Sequence, residues 1–227
     1  MKRSLRLVVM LVAVFGFTTA SQAAPITYTF SGISSGQLGL NSFSNALVVV
    51  TATTDTSNII SQGFDTDGDG VNDFFYYASL LGPTTVNIAG LGTVSVLDPT
   101  AIYALPPVPP ELAEPGEELL LQATVILGTL DAPPALDSFT GLAGIAGDAL
   151  LGYNLATSIG PIFSAGGVAY PPGLFVNTSG GSLSFLSNIS PTTSGTFTAS
   201  VPEPTSLSLL GLGILSLAGL SRLRRRG

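Results

Sequence analysis

A short acidic segment, FDTDGDGVNDFF (Phe64 to Phe75), contains the side chains of this sequence best suited to binding a ligand. Three aspartates alternate, Gly70 follows, and a fourth aspartate comes four residues after the third. Ca²⁺ prefers oxygen ligands, and this spacing matches the ligand positions of a calcium-binding loop, with the glycine supplying its sharp turn. The predicted ligands are the side chains of Asp65, Asp67, Asp69 and Asp73 and the carbonyl oxygen of Val71.

The segment resembles the D-x-D-x-D-G-x-x-D calcium loops of dockerin and thrombospondin type 3 repeats. It departs from them at Tyr76, where the last position of such a loop is Glu or Asp, so the predicted site is weak, as in many extracellular modules. The alternative is an acidic Asp–Gly turn that joins two strands. Repulsion between neighbouring carboxylates favours the metal, because no basic side chain lies between Ser21 and Ser200 to offset it.

The composition argues against catalysis. The chain has no His and no Cys, and its seven basic residues all lie near its two ends. Ser-His-Asp, Cys-His and Ser-Lys arrangements therefore cannot form in the stretch between Ser21 and Ser200. A zinc site there would lack its usual nitrogen and sulfur ligands. A glycosidase-like pair of carboxylates is compatible with the composition, but nothing distinguishes one among nine Asp and four Glu. We expect no enzymatic activity.

The same charge distribution bears on partners. An acidic body without basic residues repels phosphate backbones, so we expect no binding to nucleic acid. Its ionic partners would be cations.

The last 27 residues, Val201 to Gly227, change composition twice. A proline-acid motif comes first, a charge-free run follows at 205–221, and an arginine-rich tail occupies 222–227. The charge-free run has 17 residues, just enough to cross the hydrocarbon core of a bilayer. Arginines that follow such a helix stay cytoplasmic. We predict a transmembrane helix at 205–221 and a cytoplasmic tail after it.

These three parts, in this order, resemble the PEP-CTERM sorting signal, whose triplet here is Pro202, Glu203 and Pro204. The resemblance implies processing by an exosortase, a membrane protease-transpeptidase. It also implies an exported protein of a Gram-negative bacterium, associated with extracellular polysaccharide or biofilm. The two prolines keep the triplet extended and out of the helix, where a membrane enzyme can grip it. A plain single-span anchor is the alternative interpretation.

The N-terminus has the features of a secretory signal peptide over residues 1–23. Three basic residues precede an apolar run, Leu7 to Phe17, which is too short to span a bilayer. Small residues at Ser21 and Ala23 indicate cleavage after Ala23, so the mature chain begins near Ala24. We predict export, transient anchoring in the inner membrane, and final release to the cell envelope or the medium.

The body, residues 24–200, is predicted to be all-β, an antiparallel β-sandwich. Short segments rich in Val, Ile, Thr and Phe alternate with period two and are bounded by Gly, Pro, Asn and Ser. The dipeptide Gly90–Leu91 between two of them predicts a hairpin. The predicted strands lie at 26–32, 45–55, 84–90, 92–98, 119–128, 181–190 and 195–201.

Two segments interrupt this pattern. Leu105 to Glu118 has five prolines and four glutamates and is predicted to be a long loop with polyproline character. Leu136 to Leu155 has apolar spacing that fits a helix, although its glycines weaken that prediction. We predict a short helix or an irregular segment there, leading into a strand near 152–159.

Two functions remain open for the body. The first is a structural or interaction role in the envelope or extracellular matrix. The second is a calcium-dependent carbohydrate-binding or adhesin module, with polysaccharide as its partner.

Overall fold

The structure, a computed structural model, describes residues 23–64, 73–79, 82–107, 124–130, 139–164, 175–186 and 195–202. Within these ranges every strand pair is antiparallel and the only helical elements are two 3-10 turns, at Thr56–Asn58 and Asp148–Leu150. The predicted all-β, antiparallel class is therefore confirmed for the described residues. The strands are β1 (Pro25–Leu38), β2 (Asn41–Asp55), β3 (Ile59–Phe64), β4 (Asp73–Ser79), β5 (Thr85–Ile88), β6 (Gly92–Ser95), β7 (Thr100–Leu105), β8 (Thr124–Leu130), β9 (Phe139–Ala146), β10 (Ile159–Ser164), β11 (Phe175–Thr178), β12 (Gly181–Phe185) and β13 (Gly195–Ser200).

Alternation of apolar and hydroxyl residues explains the central strands. In β1, Ile26, Tyr28 and Phe30 are fully buried, whereas Thr27 and Thr29 between them are partly exposed. Successive side chains of a strand point to opposite faces, so this pattern places one face in the core and leaves a face of hydroxyl groups outside. The predicted hairpin at Gly90–Leu91 is also present, since β5 and β6 pair directly around it.

The first sheet has eight strands, in the order β10-β13-β1-β2-β5-β6, with β12 pairing with the far end of β1 and β11 pairing with β12. Val96, just after β6, bridges to Thr178 of β11. The carboxylate of Asp98 also accepts hydrogen bonds from the backbone and side-chain nitrogens of Asn177, at 3.0 and 3.1 Å. These contacts connect the chain just after β6 to β11, at the other end of the strand path β6-β5-β2-β1-β12-β11.

The second sheet has five strands, in the order β3-β4-β7-β8-β9. Its inner side chains, among them Ile102, Val125 and Leu127, belong to the same hydrophobic core as Phe30 and Val50 of the first sheet. Two sheets that face one core form the layered arrangement that the sequence predicts for a sandwich. Residues Pro25–Pro202 make up this compact unit.

The outer side of the second sheet has a small aromatic cluster. The ring of Tyr77 on β4 stacks on Tyr103 of β7 with centroids 5.8 Å apart, and Phe75 lies next to Tyr77 at 6.0 Å. Burial raises the pKa of Tyr103, and the neighbouring Tyr77 raises it further. Tyr103 is therefore protonated and neutral throughout the physiological pH range.

The predicted helical or irregular segment at Leu136–Leu155 is corrected by the structure. Phe139–Ala146 is strand β9, and the next strand begins at Ile159 rather than near 152. Residues 142–146 are all buried, so both faces of β9 are covered and the sequence shows no period-two alternation.

The same reason applies to β7, where Ala101 and Tyr103 on one face and Ile102 on the other are all buried. The prediction omitted β7 and also β3, β4 and β11. The proline-rich segment begins after β7, and its residues 108–123 lie outside the described residues.

Candidate functional site

The site that the sequence singled out most clearly begins where the body ends, at Ser200–Pro202, here called the junction. The strand that leads to it, β13, lies between β1 and β10. On one side Ser200 pairs with Thr27, and on the other side Ala199 pairs with Ile159. The backbone is thus paired with β10 up to Ala199 and with β1 up to Ser200, the last residue of β13.

Aromatic packing anchors this strand. Phe197 is fully buried, and its ring centroid lies 4.8 Å from that of Phe30, 6.0 Å from that of Tyr153 and 6.5 Å from that of Tyr28. Burying one such side chain stabilises a fold by roughly 1.5–3 kcal/mol, and well-placed aromatic pairs add to this. Detaching β13 would therefore remove a central part of the core.

The ordered contacts continue to Val201. Its backbone nitrogen donates a hydrogen bond to the hydroxyl oxygen of Ser158 at 2.9 Å, and its partly buried side chain packs against the core. The next residue, Pro202, is exposed. The first residue of the predicted sorting triplet is therefore also the first exposed residue after the body.

Ser158 is positioned by an irregular segment that precedes β10. The hydroxyl of Tyr28 donates a hydrogen bond to the carbonyl oxygen of Leu155 at 2.8 Å. The hydroxyl of Tyr153 donates one to the backbone carbonyl oxygen of Thr157 at 3.1 Å. Asn154 adds an internal contact, since its side-chain oxygen accepts from the backbone nitrogen of Ala156 at 3.1 Å. These bonds fix the backbone that presents Ser158 to the junction.

Burial dominates the electrostatics of this region. It raises the pKa of Tyr28 far above its ordinary value, and the nearby Tyr153 raises it further. Burial likewise raises the pKa of Tyr153. Both hydroxyls therefore stay protonated and act as hydrogen-bond donors.

The junction's side chains are one hydroxyl group, on Ser200, and two apolar groups, on Val201 and Pro202. Of the triplet, Pro202 is described, whereas Glu203 and Pro204 lie outside the described residues. The predicted signal peptide (apart from Ala23), the transmembrane segment 205–221 and the tail 222–227 also lie outside them. No helix within the described ranges is both long and apolar enough to cross a membrane.

Sequence reasoning missed the groups that hold the junction. Tyr153, Leu155 and Ser158 lie 43 to 48 residues before Val201 in the chain, outside any motif. The one available signal was the aromatic content of β1 and β13, which indicated a core but not its partners.

The predicted calcium ligands fall largely outside the described residues. Asp65, Asp67, Asp69 and Val71 are not described, and Asp73 is the first residue of β4. The flanking backbone is described, and Phe64 at the end of β3 pairs with Asp73. The acidic segment therefore connects two adjacent antiparallel strands at the edge of the second sheet. Among the described side chains, no three His, Cys, Asp or Glu residues group together.

Comparison with known proteins identifies the C-terminal segment. Residues 200–226 match the family model of the PEP-CTERM protein-sorting motif. No curated protein and no solved structure matches the chain significantly.

Proposed function

We propose that this chain, which ends in a PEP-CTERM protein-sorting motif, is an exported envelope or extracellular-matrix protein whose body has a structural or interaction role linked to extracellular polysaccharide or biofilm. The motif supports sorting by an exosortase and transient anchoring in the membrane. The proposal adds to this the final location of the protein and the role of its body.

One observation carries the proposal. The matched motif begins at residue 200, and the last described contacts of the body end at Val201, so the sorting segment starts where the fold stops. A segment that begins at an exposed proline directly after a packed strand can be handled by an enzyme while the body stays folded. The hydroxyl-rich outer face of the first sheet also suits an aqueous, exported location.

The test replaces Pro202, Glu203 and Pro204 together with alanine. The variant should be exported and accumulate as the unprocessed form, because the predicted membrane-spanning segment at 205–221 is unchanged. The mass of the protein in membrane and medium fractions, with N-terminal sequencing, distinguishes the forms. The wild-type protein should begin near Ala24. Release of the variant with the wild-type change in mass would show that the triplet is not the recognition element and that another protease processes the chain.

A second candidate function is a calcium-dependent carbohydrate-binding or adhesin module. It is favoured by the concentration of aspartates where β3 connects to β4: three lie between the paired residues Phe64 and Asp73, and Asp73 is the fourth. No basic residue of the chain lies between Ser21 and Ser200 to neutralise them. Binding of the purified body to a panel of polysaccharides, with calcium and with chelator, tests it. Binding that requires calcium would support this function over the first.

A further inference from the structure

The backbone just before the sorting triplet is paired within the body along most of its length. An extended peptide is commonly gripped through its main-chain N–H and C=O groups, in the manner of an added strand. In β13, Thr196 to Ser200 pair with β1 on one side. On the other side Gly195 to Phe197 and Ala199 pair with β10, with an irregularity opposite Thr198. An enzyme cannot add itself to either side of a strand that has both neighbours in place.

Freeing this backbone would require more than fraying of an end. Phe197 would have to leave a pocket formed by Tyr28, Phe30 and Tyr153, in which it is fully buried. The hydrogen bond from Val201 to Ser158 would also break. Central strands of this kind open only with much of the surrounding structure.

We infer that the folded body confines recognition by the exosortase to Pro202 and the residues after it, and that β13 stays in its sheet during processing. The inference rests on the proposed sorting function and adds to it the point at which the enzyme's contacts with the substrate begin. Val201, which the core and Ser158 hold, marks the boundary.

A disulfide that locks β13 in place tests the inference directly. Thr29 of β1 and Thr198 of β13 are directly opposite each other, and both are partly exposed on the outer face. Opposite residues of paired strands are close enough for a disulfide. The chain has no cysteine of its own, so Thr29→Cys with Thr198→Cys can form only this bond within the chain. Both substitutions lie before the matched motif.

In cells that contain the exosortase, the full-length protein with the disulfide should be processed at the wild-type rate. Pulse-chase labelling measures that rate, and mass spectrometry identifies the processed form. Thiol labelling confirms that the disulfide has formed. Loss of processing in the locked protein would overturn the inference, because it would show that β13 must leave the sheet. Loss in the Thr198→Cys single variant would also overturn it, because the enzyme would then be reading a residue before Pro202.

A second disulfide, between β13 and its other neighbour β10, controls for an effect that is specific to the first cysteine pair. Phe163 of β10, which is 70% exposed, lies opposite Thr196 of β13. The pair Phe163→Cys with Thr196→Cys should also be processed at the wild-type rate. The wild-type protein and the triple alanine variant serve as controls in the same experiment. Absence of processing in the wild-type protein would contradict the sorting function itself, whereas its loss in the locked proteins alone would contradict only this inference.

Discussion

The hydroxyl of Tyr28 donates a hydrogen bond of 2.8 Å to the carbonyl oxygen of Leu155, and both side chains are fully buried. Leu155 has a φ of 63°, in the left-handed region that non-glycine residues seldom adopt. The bond therefore satisfies a buried carbonyl and holds an unfavourable backbone conformation in place. It also joins β1 to the segment that carries Ser158 and, through it, Val201.

Replacing Tyr28 with Phe should lower the stability of the body. The Leu155 carbonyl would lose its donor, which costs roughly 1–3 kcal/mol for a buried polar group. Urea unfolding of residues 24–202 measures the change. Tyr153→Phe is the matched control and should lower the free energy of unfolding by less, because the hydrogen bond from Tyr153 to Thr157 is longer and only partly buried. Equal stability of Tyr28→Phe and the wild-type protein would mean that the hydrogen bond contributes nothing.

Stability should also decline at alkaline pH. Burial raises the pKa of Tyr28 and Tyr153 in the folded protein, whereas a tyrosine in an unfolded chain titrates near pH 10. As the pH rises past 10, the unfolded state loses these protons while the folded state keeps them, so the free energy of unfolding falls. Below that pH the contribution is fully present. Unfolding measured between about pH 7 and pH 11 should show the decline, and it should be shallower in Tyr28→Phe. An identical pH profile for this variant would exclude Tyr28 as a source.

Gly36 should not tolerate a side chain. It lies at the irregularity of β1 where β12 pairs, and a methyl group there would clash with the carbonyl oxygen of Ser184 and lie 2.7 Å from the ring of Phe43. Overpacking of this kind typically costs about 1–3 kcal/mol. Gly144→Ala is the control, since its nearest neighbour would be the Val125 carbonyl oxygen at 3.6 Å. Thermal unfolding should show a lower Tm for Gly36→Ala only, and an equal Tm for the two variants would contradict the close contact.

Calcium should stabilise the body if the acidic segment binds it. At about ten times the Kd, a ligand adds roughly 1.4 kcal/mol, which for a domain of this size raises the Tm by about 3–6 °C. Magnesium should do less, because it demands stricter octahedral geometry. Asp67→Asn with Asp69→Asn should abolish the shift and slightly raise stability without calcium, because repulsion is relieved. Asp148→Asn, an exposed aspartate outside the segment, is the control. An unchanged Tm at saturating calcium concentrations would favour the plain acidic turn.

Local chemistry was sufficient for several features of this protein. The sorting triplet is a contiguous run of three residues, and its match to a known motif depends on composition and order alone. The alternation in β1 and β13 predicted strands, because one face of each is buried and the other is not. The hairpin at Gly90–Leu91 was predictable because turn residues and flanking strands are adjacent in the chain.

Only the tertiary structure decided what holds the junction and which strands are buried on both sides. β9 shows no alternation because both of its faces are covered, so its apolar spacing resembled that of a helix. The bond between Tyr28 and Leu155 joins residues 127 positions apart, and that between Ser158 and Val201 spans 43. Neither leaves a local pattern, because a hydroxyl and a distant backbone group become partners only when the sheet brings their strands together. The sequence by itself determined the sorting motif. The packing of β13 between β1 and β10 determined where the folded body ends and the exposed sorting triplet begins.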